Sequence, residues 1–187
     1  MGYIFDPQTI HEVGLTALNL PTEEMVRVLT DGLKQAYPDY IDTDQEFIFS
    51  QFGSTTSMMK ILHASVSEYV IIFGTPMGTR GFSGRFLIEV WDTVVRGKMW
   101  TFTEDNPLHL VTDEPGAHAY LPWLRSKGWG LTQDGWLLEY GRGILPAALP
   151  FGIADAATTN LDPITVAKTL WIFGKLSAKN LLRHGKI

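Results

Sequence analysis

The chain has 187 residues, 45% of them hydrophobic and 12% aromatic, and a formal net charge of -5. That length buries a full core unaided, so one domain over residues 1–187 is expected. The acidic balance argues against a nucleic-acid partner, and zero cysteines exclude disulfides and thiolate chemistry.

Residues 1–40 are expected to form a helical lead-in, with helices over 6–19 and 21–37. In the second, Met25, Val26, Leu29 and Leu33 recur at helical spacing, Thr22 is placed to cap the start, and Pro38 stops the run. Residues 45–143 are β-rich. Short runs such as Tyr69 to Phe73, Arg85 to Val95 and Trp136 to Tyr140 are punctuated by glycines, as strands joined by tight turns require, and a small barrel or sandwich fits them. Residues 144–187 revert to helix: Ile144 to Ala157 is broken by Pro146 and Pro150, and Asp162-Pro163 starts a longer helix with proline at its first position. The order of helix, β-core and helix defines an α+β class.

In that last helix Lys168, Lys175, Lys179, Arg183 and Lys186 share a face, while Trp171, Ile172, Phe173, Leu176, Leu181 and Leu182 occupy much of the rest. Such a helix suits either the headgroup layer of an anionic membrane or packing on its own β-core. No run of about 18 apolar residues occurs and Met1-Gly2-Tyr3 opens no signal-peptide core, so the chain as given reads as soluble or peripheral.

The five histidines, at 11, 63, 109, 118 and 184, lack paired metal-ligand spacing, and neither a GxGxxG fingerprint nor a P-loop occurs; no metal or cofactor is expected. Gly81-Phe82-Ser83-Gly84-Arg85 lacks the second glycine of a nucleophile elbow and reads as a turn. The informative residues are acids inside apolar runs: Glu139, Asp92, Glu89 and Glu68. Burial raises a carboxyl pKa by up to roughly 3–5 units, and two neighbouring carboxyls share one proton, giving one acid and one base. On a regular strand Glu89 and Asp92 point to opposite faces, and Asp92, alternating with Val90, Ile88 and Phe86, is the one expected to enter an apolar pocket. The competing expectation is that each acid pairs with Arg80, Arg85, Arg96 or Arg142 at a barrel rim.

Leu62-His63-Ala64-Ser65-Val66-Ser67-Glu68-Tyr69, Phe73-Gly74-Thr75 and Gly78-Thr79-Arg80-Gly81 together resemble the signature of the family of the fungal sterol delta-8 to delta-7 isomerase and the sigma-one receptor. The match continues through Ser83-Gly84-Arg85, Asp92-Thr93, Leu138-Glu139-Tyr140-Gly141-Arg142-Gly143 and Leu149-Pro150-Phe151-Gly152-Ile153-Ala154-Asp155, so it spans nearly the whole chain. The resemblance implies a cupin-like β-barrel, commonly trimeric, with two C-terminal helices lying on the endoplasmic reticulum membrane. It implies Glu139 and Asp92 as the catalytic pair, Tyr69 beside that glutamate, and a pocket for a sterol, terpenoid or hydrophobic amine; Glu89, Phe82, Trp136 and His63 are further residues expected to bind the ligand. Two departures stand out: Gln51-Phe52-Gly53-Ser54 replaces the family's asparagine-alanine-glycine-glycine, and Phe82 stands where histidine is usual. Similarity begins near residue 3, so the family's N-terminal membrane helix is not in this sequence; were that natural, a cytoplasmic location would be expected. Three activities fit: sterol isomerase, isomerase or cyclase tailoring a terpenoid or polyketide, and receptor-like binder of hydrophobic amines.

Overall fold

A computed structural model describes residues 2–185. Two helices lead in: α1 (Pro7–Leu15), whose N-terminus is capped by the Asp6 carboxylate accepting from Thr9 N, and α2 (Thr22–Ala36). Thr22 does not cap α2; it is the first helical residue, and its hydroxyl donates to Asp134 instead. Ten strands follow: β1 (Ile48–Ser50), β2 (Ser57–Ala64), β3 (Glu68–Thr75), β4 (Thr79–Phe82), β5 (Ile88–Arg96), β6 (Met99–Thr103), β7 (Asn106–Asp113), β8 (His118–Leu121), β9 (Lys127–Leu131) and β10 (Gly135–Gly143). Pro146 and Pro150 break the next segment into a 3-10 turn and the short α3 (Leu149–Ala154), followed by a π turn over Asp155–Thr159. The chain closes with α4 (Pro163–His184), where Asp162 caps Thr165 N and Pro163 occupies the first turn as expected.

All strand pairs are antiparallel. One sheet runs in the order β1, β2, β3, β10, β5, β8 and the other in the order β4, β9, β6, β7. The result is an α+β barrel of two antiparallel sheets with flanking helices.

Period-2 alternation gives the six-stranded sheet two different faces. On one face Trp136, Leu138 and Tyr140 of β10, with Leu62, Val70, Ile72 and Val95, pack under Ile10 of α1 and Met25, Leu29 and Leu33 of α2. Each fully buried leucine in this layer stabilises by about 1.5–3 kcal/mol. On the other face Leu137, Ile71, Phe73 and Val94 meet Trp129 and Leu131 of β9 across the barrel, closed at one side by Ile172 and Leu176 of α4.

That division sets two of the expected ligand contacts on the helical side of the sheet. Trp136 lies three residues before Glu139, so it projects away from the barrel interior and packs edge-on against Phe47 in the helical layer. The His63 ring also sits on the helical side, 4.7 Å from the Phe5 ring, with Nδ1 2.9 Å from Tyr40 O; a register shift between Ile61 and His63 puts it there.

The 3.6-residue period of the helix likewise gives α4 two faces. Thr165, Thr169, Ile172, Leu176 and Asn180 are buried, and Asn180 donates to Ala64 O and Leu176 O. Ile164, Trp171 and Leu182 are 67%, 72% and 85% exposed on the opposite side, beside exposed Lys168 and Lys175. Lys179 leaves the basic stripe to pair with Asp42 at 2.8 Å, and Lys186 lies outside the described residues. Among the described residues no helix is long and apolar enough to cross a membrane.

Candidate active site

Between the two sheets lies a cavity of about 160 Å³ whose wall is mostly apolar, with Phe52, Phe73, Phe86, Trp129, Phe151 and Phe173 contributing rings. Ile88, Val90 and Asp92 enter it from β5, so the alternate row read from the sequence is the row that faces inward. From β10, Leu137 and Glu139 enter it, and Tyr69 and Ile71 from β3.

Strand pairing brings the acids together. Glu139 is directly opposite Asp92 in the β10–β5 register and opposite Ile71 in the β10–β3 register. Residues opposed in this way have Cβ atoms about 4.5–5.5 Å apart, close enough for two carboxyls to interact through one proton. Tyr69 donates its hydroxyl to Glu139 Oε1 at 2.6 Å. Gly141 gives the ring its place: a Cβ there would lie 2.3 Å from Tyr69 Cε1, so a side chain at 141 and the tyrosine exclude each other.

The third charged group was not anticipated from the sequence. Lys127, the first residue of β9, is only 8% exposed, and its Nζ lies 2.7 Å from Asp92 Oδ2. Its backbone N–H donates to Ser83 Oγ, and its carbonyl accepts from Ser83 N. The signal was present: Lys127, Trp129 and Leu131 alternate with Gly128 and Gly130, which puts a lysine at the head of an inward apolar row.

The electrostatics separate the two acids. Glu139 is half-buried and lines the mostly apolar cavity, and the loss of solvation there, reinforced by the Asp92 charge, pushes its pKa up to about 8; the Tyr69 hydrogen bond and the Lys127 charge act in the opposite direction. Burial likewise raises the Tyr69 phenol well above its ordinary value, and the Glu139 charge adds to this. At neutral pH Glu139 therefore holds a proton. Asp92 Oδ1 is buried without a hydrogen-bond partner among the described residues. A proton on Glu139 supplies the donor that this oxygen lacks.

Other expected ligand contacts lie elsewhere. Glu89 points outward, where it pairs with Arg142 at 2.9 Å and accepts from the Tyr120 hydroxyl; for this acid the rim-pairing expectation is the one met. The Arg142 guanidinium sits 4.6 Å from the Trp91 ring centre and 4.7 Å from that of Tyr3. Phe82 is 47% exposed at the end of β4 and does not line the cavity, because its neighbour Ser83 takes the inward position. Glu68 is buried outside the cavity and accepts from Ile4 N, Phe5 N and the Tyr140 hydroxyl, so it anchors the N-terminal segment. No group of three or more histidine, aspartate or glutamate side chains among the described residues is arranged to hold a metal ion. A second hollow of about 250 Å³ beside β6 and β8 is lined by Glu104, Asp105 and Arg125, and the arginine pairs with both acids.

The sequence can be set beside known proteins. The chain is 33% identical over 186 residues to the C-8 sterol isomerase erg2 of Aspergillus fumigatus, covering 97% of this chain and 77% of that protein. It is 32% identical over 182 residues to the Protein erg2 homolog of Dictyostelium discoideum, covering 97% and 78%. With the Sigma non-opioid intracellular receptor 1 of Xenopus tropicalis it shares 29% identity over 183 residues, covering 93% and 79%. Among solved structures, KdgF from Halomonas sp. superposes with a TM-score of 0.45 at 15% identity, covering 56% of this chain and 93% of that one. The family profile described as ERG2 and Sigma1 receptor like protein matches residues 1–185, and the chain belongs to that family.

Proposed function

We propose that the protein is a cofactor-independent isomerase that shifts a double bond, from delta-8 to delta-7, in a sterol or similar polycyclic lipophile. The observation that carries this reading is the pairing of Asp92 with Glu139 across two strands inside an aromatic cavity, with Glu139 raised to a pKa of about 8 and Asp92 in contact with the Lys127 ammonium. Glu139 gives its proton to one alkene carbon, and the electron pair of the double bond forms the new C–H bond. Ring faces and the newly ionised Glu139 stabilise the adjacent carbocation. Asp92 then removes a proton from the neighbouring carbon, whose C–H electrons become the shifted double bond, and transfer of that proton between the two carboxyls restores the starting state. Acid–base assistance of this kind contributes about 10²–10⁴-fold, and the dry cavity supplies further stabilisation of the cation. The relatives named as C-8 sterol isomerases support the choice of substrate.

Two surfaces support the remaining parts of the reading. The outward face of α4, with exposed Ile164, Trp171 and Leu182 beside Lys168 and Lys175, suits the headgroup layer of the endoplasmic reticulum membrane, from which a sterol would enter. Edge strand β7 exposes Leu108 at 91%, Leu110 at 62% and Val111 at 52%, an apolar strip of the kind that a homotrimer contact would cover.

Incubating the purified protein with a delta-8 sterol and analysing the product by mass spectrometry and NMR tests the activity. Conversion to the delta-7 sterol is expected. Recovery of unchanged sterol, under conditions where a hydrophobic amine binds, would overturn it.

A further inference from the structure

Lys127 is unusual as a structural residue. It buries an ammonium group in an otherwise apolar wall, and buried ion pairs are a poor source of stability because desolvation offsets their attraction. Its placement is nevertheless well defined: β9 belongs to the four-stranded sheet and β5 to the six-stranded sheet, so the 2.7 Å contact spans the barrel. It reaches only one of the two paired acids by hydrogen bond, and only one oxygen of that acid.

That asymmetry has a chemical meaning. Two equivalent carboxyls would share a proton without preference, and either could serve as acid. An ammonium group bonded to Asp92 Oδ2 places a positive charge and a donor against that carboxyl alone, and leaves Oδ1 to accept from a protonated Glu139. The charge also balances: one ammonium, one carboxylate and one neutral carboxyl sum to zero before the substrate arrives. Resting on the acid–base reading above, we propose that Lys127 is the positioning residue that keeps Asp92 as the base, confines the shared proton to Glu139, and leaves the empty cavity uncharged. The site then favours neutral lipophiles over permanent cations, and acquires its negative charge only when Glu139 protonates the alkene.

The other titratable groups facing this cluster are Tyr69 from β3, against Glu139, and Asp113 and His118 from β7 and β8, which interact with Asp92. Burial lowers the tendency of His118 to charge, so it does not replace Lys127 as the counter-charge, while Asp113, which also feels the Lys127 charge, is made harder to ionise by burial and has no cationic form.

The test is calorimetric titration of the purified chain with dodecyltrimethylammonium, a cation whose own charge does not change with pH, at submicellar concentration from pH 6 to pH 9. In the unaltered protein the cation has to wait for Glu139 to ionise. With a pKa of about 8, affinity should rise about 50-fold between pH 6 and pH 8. Lys127→Met leaves a single negative charge on the carboxyl pair, so it should bind the cation at least about tenfold more tightly at pH 6 and lose the pH slope. Lys127→Arg should restore the slope. Should Lys127→Met fail to fold, Lys127→Gln keeps a hydrogen-bond donor without the charge and carries the same expectation. A neutralised variant that binds the cation no more tightly at pH 6, with the slope intact, would overturn the proposal. Failure of the unaltered protein to convert a delta-8 sterol, with the cation results as expected, would instead overturn the isomerase reading and leave the role of Lys127 standing.

Discussion

Glu139→Gln makes the energetics of the candidate acid measurable without any substrate. The glutamine keeps the size of the protonated side chain, can donate to Asp92 Oδ1, and cannot ionise. In the native chain the carboxyl moves from an ordinary value near 4.5 to about 8 on folding. The folded state thus holds a proton that the unfolded chain releases. Stability from this group is fully present below pH 4.5, declines as pH rises, and levels off above about pH 8. At 1.36 kcal/mol per pKa unit the whole decline is on the order of 5 kcal/mol, of which about 3 kcal/mol falls between pH 4.5 and pH 7. Urea denaturation of both proteins across this range gives a difference curve from which the titrating groups remote from Glu139 cancel. The variant should gain on the native protein by about 3 kcal/mol over that interval while sterol turnover falls by about 10²–10⁴-fold. Parallel stability curves would refute the assignment of a buried, protonated Glu139.

Asp92→Asn should also abolish most turnover, because no ionised base then faces the cation; unchanged turnover rates with a delta-8 sterol would remove Asp92 from the mechanism. Gly141→Ala should push the Tyr69 ring off Glu139 and lower turnover by about 10²-fold with the fold retained, as read by kinetics and circular dichroism. Glu68→Gln should weaken the anchoring of Ile4 and Phe5, destabilising the chain by about 1–3 kcal/mol in denaturant, with cation affinity unchanged. His118, stacked on His11 at 4.2 Å, resists protonation mainly through burial and also through the His11 charge. The unfolded chain therefore takes up that proton first, stability falls as pH drops through the ordinary histidine range, and His118→Asn should flatten that part of the thermal-melting profile.

Much of this arrangement follows rules visible in the sequence. Proline at the first position of α4, the apolar spacing of α2, and the inward row of Asp92, Val90 and Ile88 were all legible, because each depends on residues a few positions apart. The same alternation, applied to β10, would have removed Trp136 from the ligand contacts, since an odd separation from Glu139 means the opposite face. His63 was harder to read, because the irregular β2–β3 register leaves no local trace in composition. Lys127 lies 35 residues from Asp92 on the other sheet, and only the closing of the barrel joins them. The splitting of α4 into a buried and an exposed face also depended on where β1 and β2 came to rest, a tertiary fact that its mixed apolar and basic pattern left open.

The contact between Lys127 and Asp92 ties reactivity to the integrity of the fold. One partner belongs to each sheet, so any opening of the barrel parts them and admits water to both acids together. A half-open molecule would lose the preference that keeps the proton on one side chain and would hydrate any cation it formed. On the proposed mechanism the site would be armed only when its two sheets are shut around the guest, so that a reactive intermediate would not meet an unfinished site.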